Sequence, residues 1–224
     1  MPFRETRWET VRLERQFDAE LRTNVVRIAA VGVLYTLHLI HHFSAGGRNA
    51  WLGFLRLDDA AALPEPVHDA LTAIALAWAM LAVMIHLALQ SRIFPRGLMY
   101  ASTFADVVLL TAVLVFTSGA SSPLVAVYFL IIMMAGLRLQ LSLIWFTTLS
   151  TILGYLCVVG CQSVGVGSTI LAQSPAVPRY HQAMLVAALA LAGVVAGQSI
   201  RNVRRLFDAP PQADVPQVDG KPSL

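Results

Sequence analysis

Apolar residues occur along this chain in six long runs, separated by short breaks that contain charged residues, glycine or proline. The runs are continuous, whereas the strands of a membrane β-barrel would alternate apolar and polar positions. Most runs approach the ~20 residues that an α-helix needs to cross a bilayer. The pattern therefore predicts an all-α, polytopic membrane protein with six transmembrane helices, at about 25–43, 68–90, 98–117, 123–138, 141–163 and 182–200, of which the fourth is the shortest.

The amino-acid composition agrees with this pattern. Apolar residues make up 57% of the 224 residues and charged residues only 13%, about half the charged share of a typical soluble domain. A soluble enzyme and a secreted disulfide scaffold are therefore excluded. Cys157 and Cys161 lie one turn apart in the fifth run, where disulfide geometry is poor, and we expect them to be small packing residues.

The basic residues predict the orientation of the chain. The chain has 16 Lys and Arg residues. If it crosses the membrane six times, 13 of them lie on one side and only three on the other, namely Arg48, Arg56 and Arg179. Basic residues accumulate on the cytoplasmic side. We therefore expect both termini in the cytoplasm and a multi-pass protein of the bacterial cytoplasmic (inner) membrane. The same arginines explain the net charge of +3, so we expect the lipid bilayer, and no nucleic acid, as a partner.

The two ends of the chain differ from its apolar middle. Residues 1–22 mix arginine and glutamate with large apolar residues, which predicts an amphipathic segment on the cytoplasmic membrane surface. The six-helix domain occupies 23–200, and the polar, proline-containing residues 201–224 predict a disordered cytoplasmic tail. Because this organisation contains no soluble catalytic domain, we do not expect an enzyme.

Asp106 is the only carboxylate well inside a predicted span. A lone buried carboxylate either takes up a proton or finds a partner, and His86 and Arg27 lie at comparable depths on the second and first helices. These three residues predict either a polar clamp between helices or a role in sensing or proton exchange. Asp106 lies about 18 Å from Ser118 along the third helix, so we expect coupling or packing rather than contact with a ligand at the loop.

Two further patterns have both a structural and a functional interpretation. His38 and His42 lie one turn apart on one face, a spacing that permits metal ligation. Such histidines are more often polar anchors at the membrane interface, so we expect no metal and no haem. Gly193 and Gly197 form a GxxxG pair in the sixth span, which lets two helices approach closely. That pair predicts packing inside the monomer or a homodimer through the sixth helix.

The most informative stretch is 106–124, DVVLLTAVLVFTSGASSPL, followed by VAVYFLIIMMAGLR. It resembles the membrane domain of the RegB-type redox-responsive sensor histidine kinases. That family has six membrane helices, cytoplasmic termini, an Asp in the third helix and an outer GGxxNPF loop before the fourth. Three family positions are matched here, by Asp106 in the helix and by Gly119 and Pro123 in the loop. Three are substituted: Ser118 replaces the first Gly, Ser122 replaces the Asn and Leu124 replaces the Phe.

The resemblance implies a ligand as well as a fold. In that family the loop is associated with reading the redox state of the ubiquinone pool. A quinone is thus the implied ligand, with Ser118, Gly119, Ser122, Pro123, Leu124 and Tyr128 as candidate binding residues. The kinase core has no counterpart here, so we expect no phosphotransfer by this chain. From the residues alone, the loop is either a tight turn between helices or a ligand-binding loop at the outer membrane interface.

Three functions follow as hypotheses. The first is a non-catalytic sensory or ligand-binding membrane module that signals through a separate partner, such as a kinase. The alternative is a structural or accessory subunit of a larger respiratory or photosynthetic membrane complex. A small transporter is less well supported, because the spans contain one mid-membrane carboxylate and no obvious pair of broken helices.

Overall fold

The structure is a computed structural model that describes residues 3–45, 64–91, 97–165 and 177–208. Side chains are described from residue 17 to 40 of the first helix, Asp18 excepted, and up to Val203 of the last. Every element in these ranges is helical. The six α-helices are α1 (Phe3–Ala45), α2 (Glu65–Gln90), α3 (Leu98–Phe116), α4 (Val127–Leu137), α5 (Leu141–Val164) and α6 (Arg179–Asp208), and two short 3₁₀ turns, Gly119–Ser121 and Pro123–Ala126, precede α4.

Five of the helices are long and apolar enough to cross a membrane. They are α2, α3 and α5 over their full lengths, α1 over Ala19–Ile40 and α6 over Arg179–Val203. The predicted fourth span is shorter, because its apolar helical segment covers only Pro123–Leu137. Such a segment reaches about 20–25 Å, less than the ~30 Å of a hydrocarbon core. The all-helical fold is thus confirmed, with five candidate membrane-spanning helices in the described residues.

The first and last helices extend beyond the predicted spans. α1 continues without a break through residue 22, where the surface segment was predicted to end. This helix contains no proline and a single glycine, so nothing in it breaks the backbone. Its residues change from polar to apolar along its length, but it stays helical throughout. α6 continues past residue 200 to Asp208, just before Pro210. Residues 201–208 are therefore helical rather than disordered, and the remainder of the predicted tail lies outside the described residues.

The helices pack around a core to which α1 contributes little apolar surface. α5 contacts α3, α4 and α6, while α1 lies against α2 and α4. Every buried apolar side chain of the described chain comes from residue 67 onward. The buried side chains of α1 are instead polar, namely Glu20, Thr23, Asn24 and Arg27. We call the end of the bundle with the 138–140 turn the turn end, and the end with the 117–126 loop the loop end.

The loop between α3 and α4 is ordered by backbone and hydroxyl hydrogen bonds. Gly119 has a φ of +64°, a conformation that side chains disfavour. The Ser122 Oγ accepts from the Leu124 amide at 3.2 Å and so caps the second 3₁₀ turn. The Ser121 hydroxyl donates to the Ser118 carbonyl at 2.7 Å. Gly119 and Ser122 are buried, so the loop is a folded cap on the bundle.

Gly193 and Gly197 face α5 of the same chain. A Cβ added at Gly193 would overlap the Thr148 side chain, whereas one added at Gly197 would lie 3.3 Å from the Leu141 Cδ1. Gly193 therefore permits the close approach of α6 to α5. A homodimer through the sixth helix would have to use another of its faces.

Candidate functional site

Helices α1 and α3 are joined inside the bundle by an ion pair between Arg27 and Asp106. The Arg27 Nε donates to Asp106 Oδ1 and the Arg27 Nη2 donates to Asp106 Oδ2, each at 2.7 Å. This two-point geometry is the strong form of an arginine–carboxylate pair. The two side chains are only 1% and 5% exposed. His86, the other residue considered for Asp106, instead contacts Gln90 one turn along its own helix, at 3.1 Å.

Helix α2 joins this network at two points. The Trp78 indole Nε1 donates to Asp106 Oδ1 at 2.8 Å. The Asn24 side-chain oxygen accepts from Arg27 Nη1 at 2.9 Å, and its Nδ2 donates to the Ala82 carbonyl at 3.0 Å. Both oxygens of Asp106 are thus in use as acceptors, which suits an ionised carboxylate. One carboxylate therefore connects α1, α2 and α3.

A second ion pair lies nearer the turn end. The Arg138 Nη2 donates to Glu20 Oε1 at 2.7 Å, with side-chain exposures of 2% and 0%. Arg138 also donates to the Met99 carbonyl at 2.9 Å and to the hydroxyls of Thr103 and Ser102 at 2.6 and 3.1 Å. This cluster ties α1 and the start of α3 to the turn between α4 and α5.

The charges cancel within each ion pair, which lowers the cost of burying them in a medium of low polarity. Two guanidinium groups face two carboxylates, so the formal charge of the buried network is zero. A buried unpaired charge would be far more costly. Glu20, Asn24 and Arg27 follow each other at helical spacing on one face of α1, which is why a single helix supplies both pairs.

An apolar cavity lies on the loop-end side of the Arg27–Asp106 pair. Its volume is about 90 Å³, and it lies between α1, α2 and α3 beneath the loop. Trp78 forms part of its wall, so the residue that contacts the cavity also donates to Asp106. The polar residues Tyr35, His38 and Thr117 also line it, as does Leu124 of the loop.

A larger groove between α1 and α2 adjoins this cavity. Its volume is about 430 Å³, and apolar residues line most of it. Val31, Tyr35 and Ala75 line both hollows. Because the groove lies on the side of α1 and α2 away from the core, a lipid-soluble molecule would have a lateral route from the bilayer to the cavity.

The histidines at the loop end form a contact between α1 and α2. The His38 Nε2 lies 3.1 Å from the His68 Nδ1, and the two rings stack with centroids 5.2 Å apart. The side chain of His42 lies outside the described residues. Among the described side chains, no group of three or more His, Cys, Asp and Glu residues could hold a metal ion.

The loop residues proposed for ligand binding separate into four places. Leu124 lines the cavity, while Ser122 and Pro123 line an open groove of about 690 Å³ on the other side of the loop, against α5 and α6. Ser118 and Gly119 shape the loop itself. Tyr128 is fully buried in the core, and its hydroxyl lies 2.8 Å from the Thr111 Oγ1. The structure therefore does not bring these six residues to one hollow.

Several residues of the network were absent from the sequence interpretation. Glu20 belonged to the predicted surface segment 1–22, and Arg138 was only one of the 13 basic residues assigned to the cytoplasmic side. The spacing of Glu20, Asn24 and Arg27 is the signal that could have found the network, because it marks one polar face that continues into an apolar run. Trp78 carried no such signal, since a tryptophan in an apolar run is ordinary core material.

No family model, no curated protein and no solved structure matches this chain.

Proposed function

We propose that this chain is a non-catalytic sensory module of the bacterial cytoplasmic membrane that binds a quinone-type ligand and signals through a separate partner. Six membrane segments with both termini in the cytoplasm belong to the proposal. The division of basic residues, 13 against three, supports that topology. The short fourth segment would then cross with help from the 3₁₀ turns before it and from local thinning of the bilayer.

One observation carries the sensory function. The apolar cavity shares Trp78 with the buried ion-pair network, so a molecule in the cavity would contact the side chain that donates to Asp106. A ligand that moved this indole would weaken or strengthen the link among α1, α2 and α3. Coupling of this kind needs a ligand with different affinities for two arrangements of the helices.

The size and chemistry of the two hollows favour a lipid-soluble ring with an apolar tail. The cavity of about 90 Å³ is smaller than the ~150 Å³ engineered cavity that admits benzene. A quinone ring would therefore extend from the cavity into the adjoining groove, where an isoprenoid tail also fits. Apolar burial would supply most of the affinity. Tyr35, Thr117 and His38 line the cavity and would bond a quinone carbonyl in exchange for their contacts with Thr72, the Leu114 carbonyl and His68.

The test is a binding measurement with matched variants in the two candidate hollows. Purified protein in quinone-free nanodiscs is titrated with a short-chain ubiquinone, and quenching of tryptophan fluorescence is followed. Ala75→Phe fills the cavity and the adjoining groove, while Ala188→Phe fills the open groove beside Ser122 and Pro123. We expect binding to weaken at least tenfold in Ala75→Phe and to stay near wild type in Ala188→Phe.

The other outcomes each decide against part of the proposal. Loss of binding in Ala188→Phe alone would move the ligand to the opposite side of the loop. No quinone uptake by the wild-type protein would remove the sensory proposal. The alternative, an accessory subunit of a larger respiratory or photosynthetic complex, would then take its place, and co-purification of neighbouring subunits from native membranes would identify that complex.

A further inference from the structure

The two buried carboxylates of the described bundle differ in how their oxygens are used. Both oxygens of Asp106 accept hydrogen bonds, from Arg27 and from Trp78. Glu20 Oε1 accepts from Arg138 at 2.7 Å and lies 3.5 Å from the Ser102 hydroxyl, which donates to it. Glu20 Oε2 and Arg138 Nε are both buried and have no hydrogen-bond partner among the described residues. Glu20 thus has one unused oxygen, whereas Asp106 has none.

This difference decides where a proton can be added without loss of a hydrogen bond. A proton on either oxygen of Asp106 would face a donor and would disrupt the bond from Arg27 or Trp78. A proton on Glu20 Oε2 breaks no hydrogen bond, because Oε1 remains the acceptor for Arg138, although it removes the negative charge of that ion pair. We infer that Glu20 is a proton-binding site of this protein, protonated on Oε2 while Asp106 keeps its ion pair.

The groups around Glu20 accommodate the change in charge. Protonation raises the formal charge of the network from zero to +1, and that charge rests on Arg138. The Met99 carbonyl and the hydroxyls of Thr103 and Ser102 continue to accept from this guanidinium group. The other charged groups near Glu20, Arg27 on the same helix and Asp106 on α3, are paired with each other and nearly cancel.

The position of Glu20 bears on how the bundle would respond to the proton. Glu20 lies near the N-terminal end of the candidate span Ala19–Ile40. Proton uptake would leave a hydrogen bond between a neutral acid and Arg138 where an ion pair had been, and so loosen the tie between α1 and the α4–α5 turn.

The experiment observes Glu20 directly in the full chain. The other four glutamates, Glu5, Glu9, Glu14 and Glu65, are replaced by glutamine, and the sole remaining glutamate is labelled with ¹³C at its side-chain carboxyl carbon. Solid-state NMR of the protein in lipid bilayers then follows this carbon as the pH is lowered. We expect a single protonation step that ends in the chemical shift of a neutral carboxylic acid while the bundle stays folded.

Two controls keep the result specific. The same measurement on aspartate-labelled protein, with Asp106 assigned from the loss of its signal in Asp106→Asn, should show no step over the range in which Glu20 titrates. Glu20→Gln, which resembles the protonated state, should remain folded at neutral pH by circular dichroism and gel filtration. The inference is overturned if the Glu20 carbon keeps its carboxylate shift throughout the folded range, or if Asp106 takes up the proton first.

Discussion

Helices α1 and α5 both bury polar side chains within a span, but three of the four on α1 bond to other elements, while Thr23 donates to the Ala19 carbonyl of its own helix. On α5 the buried hydroxyls of Thr147, Thr148 and Thr151 donate to carbonyls of their own helix, at 2.7 to 2.9 Å. On α1 the side chains of Glu20 and Arg27 bond to residues of other elements, with both charged partners buried. A polar residue inside a membrane helix can thus be a compact packing group or an interhelical connection. The two roles are distinguished by whether the hydrogen-bond partner lies in the same helix or in another element.

The two helices also differ in how much apolar surface they bury. α5 contacts α3 and α6 through apolar side chains and through the close approach at Gly193. α1 has no buried apolar side chain in its described part, and its loop-end half lies beside the cavity. We therefore expect substitutions along α1 to act through hydrogen bonds and charge, and substitutions at the α5–α6 interface to act through steric fit.

The largest effect is expected from removing one partner of the Arg27–Asp106 pair. Arg27→Met leaves Asp106 buried without its counter-charge and should lower the free energy of unfolding by about 3–5 kcal/mol. The double variant Arg27→Met with Asp106→Leu should recover most of that loss, because it removes both charges together. Steric-trapping or detergent-unfolding measurements on the four proteins of this cycle give the coupling energy. A coupling energy near zero would contradict the polar connection of α1.

Trp78→Phe should have the next largest effect. The substitution keeps an aromatic ring at the cavity but removes the indole donor to Asp106. A hydrogen bond to a charged group contributes about 1.5–3 kcal/mol, so the free energy of unfolding should fall by about that amount. Trp145→Phe on the exposed face of α5 is the control, and an equal loss there would mean that the Asp106 bond adds nothing.

Gly193→Ala should destabilise the α5–α6 interface by about 1–3 kcal/mol, because the new methyl group overlaps Thr148 and the core is already packed. Gly197→Ala is the matched substitution one turn away, where the neighbour is the tip of the flexible Leu141 side chain. We expect it to leave the free energy of unfolding nearly unchanged. Combining Gly193→Ala with Thr148→Ala should restore stability, and failure to do so would mean that the overlap is not the cause.

The smallest effect is expected at Thr147. Its hydroxyl donates to the Leu143 carbonyl of the same helix, and that carbonyl also belongs to the backbone ladder. Thr147→Val keeps the shape of the side chain, so the free energy of unfolding should change by about 0.6 kcal/mol or less, the average found for polar interactions in a helical membrane protein. A loss as large as that in Trp78→Phe would remove the distinction between the two kinds of buried polar group.

The sequence was sufficient for the helices but not for their lengths or their connections. Apolar runs located all six helices, since hydropathy and helical backbone satisfaction coincide inside a bilayer. At the ends of α1 and α6 the two no longer coincide, because both helices continue into sequence that is no longer apolar. The fourth segment falls short for the opposite reason, since 3₁₀ turns occupy its beginning.

The polar network could likewise be predicted only in part from the sequence. Arg27 and Asp106 could be named from the sequence because charges are rare within apolar runs. Their pairing depends on how α1 and α3 approach each other in space, which one sequence does not specify. Glu20 and Arg138 lie near the ends of apolar segments, where a charge is ordinary. They are 118 residues apart in sequence, and only the fold brings Arg138 Nη2 to 2.7 Å from Glu20 Oε1.

The two ion pairs also give α1 a pivot. Glu20 and Arg27 lie about 10 Å apart along the helix axis, so a slide by one turn would separate both pairs, whereas a tilt about the region between them strains each only slightly. From that region Tyr35, at the cavity, is about 17 Å away and Phe3 is about 31 Å away in the opposite direction. α1 would thus act as a lever with unequal arms. A small sideways push at Tyr35 would nearly double in amplitude at the N-terminal tip.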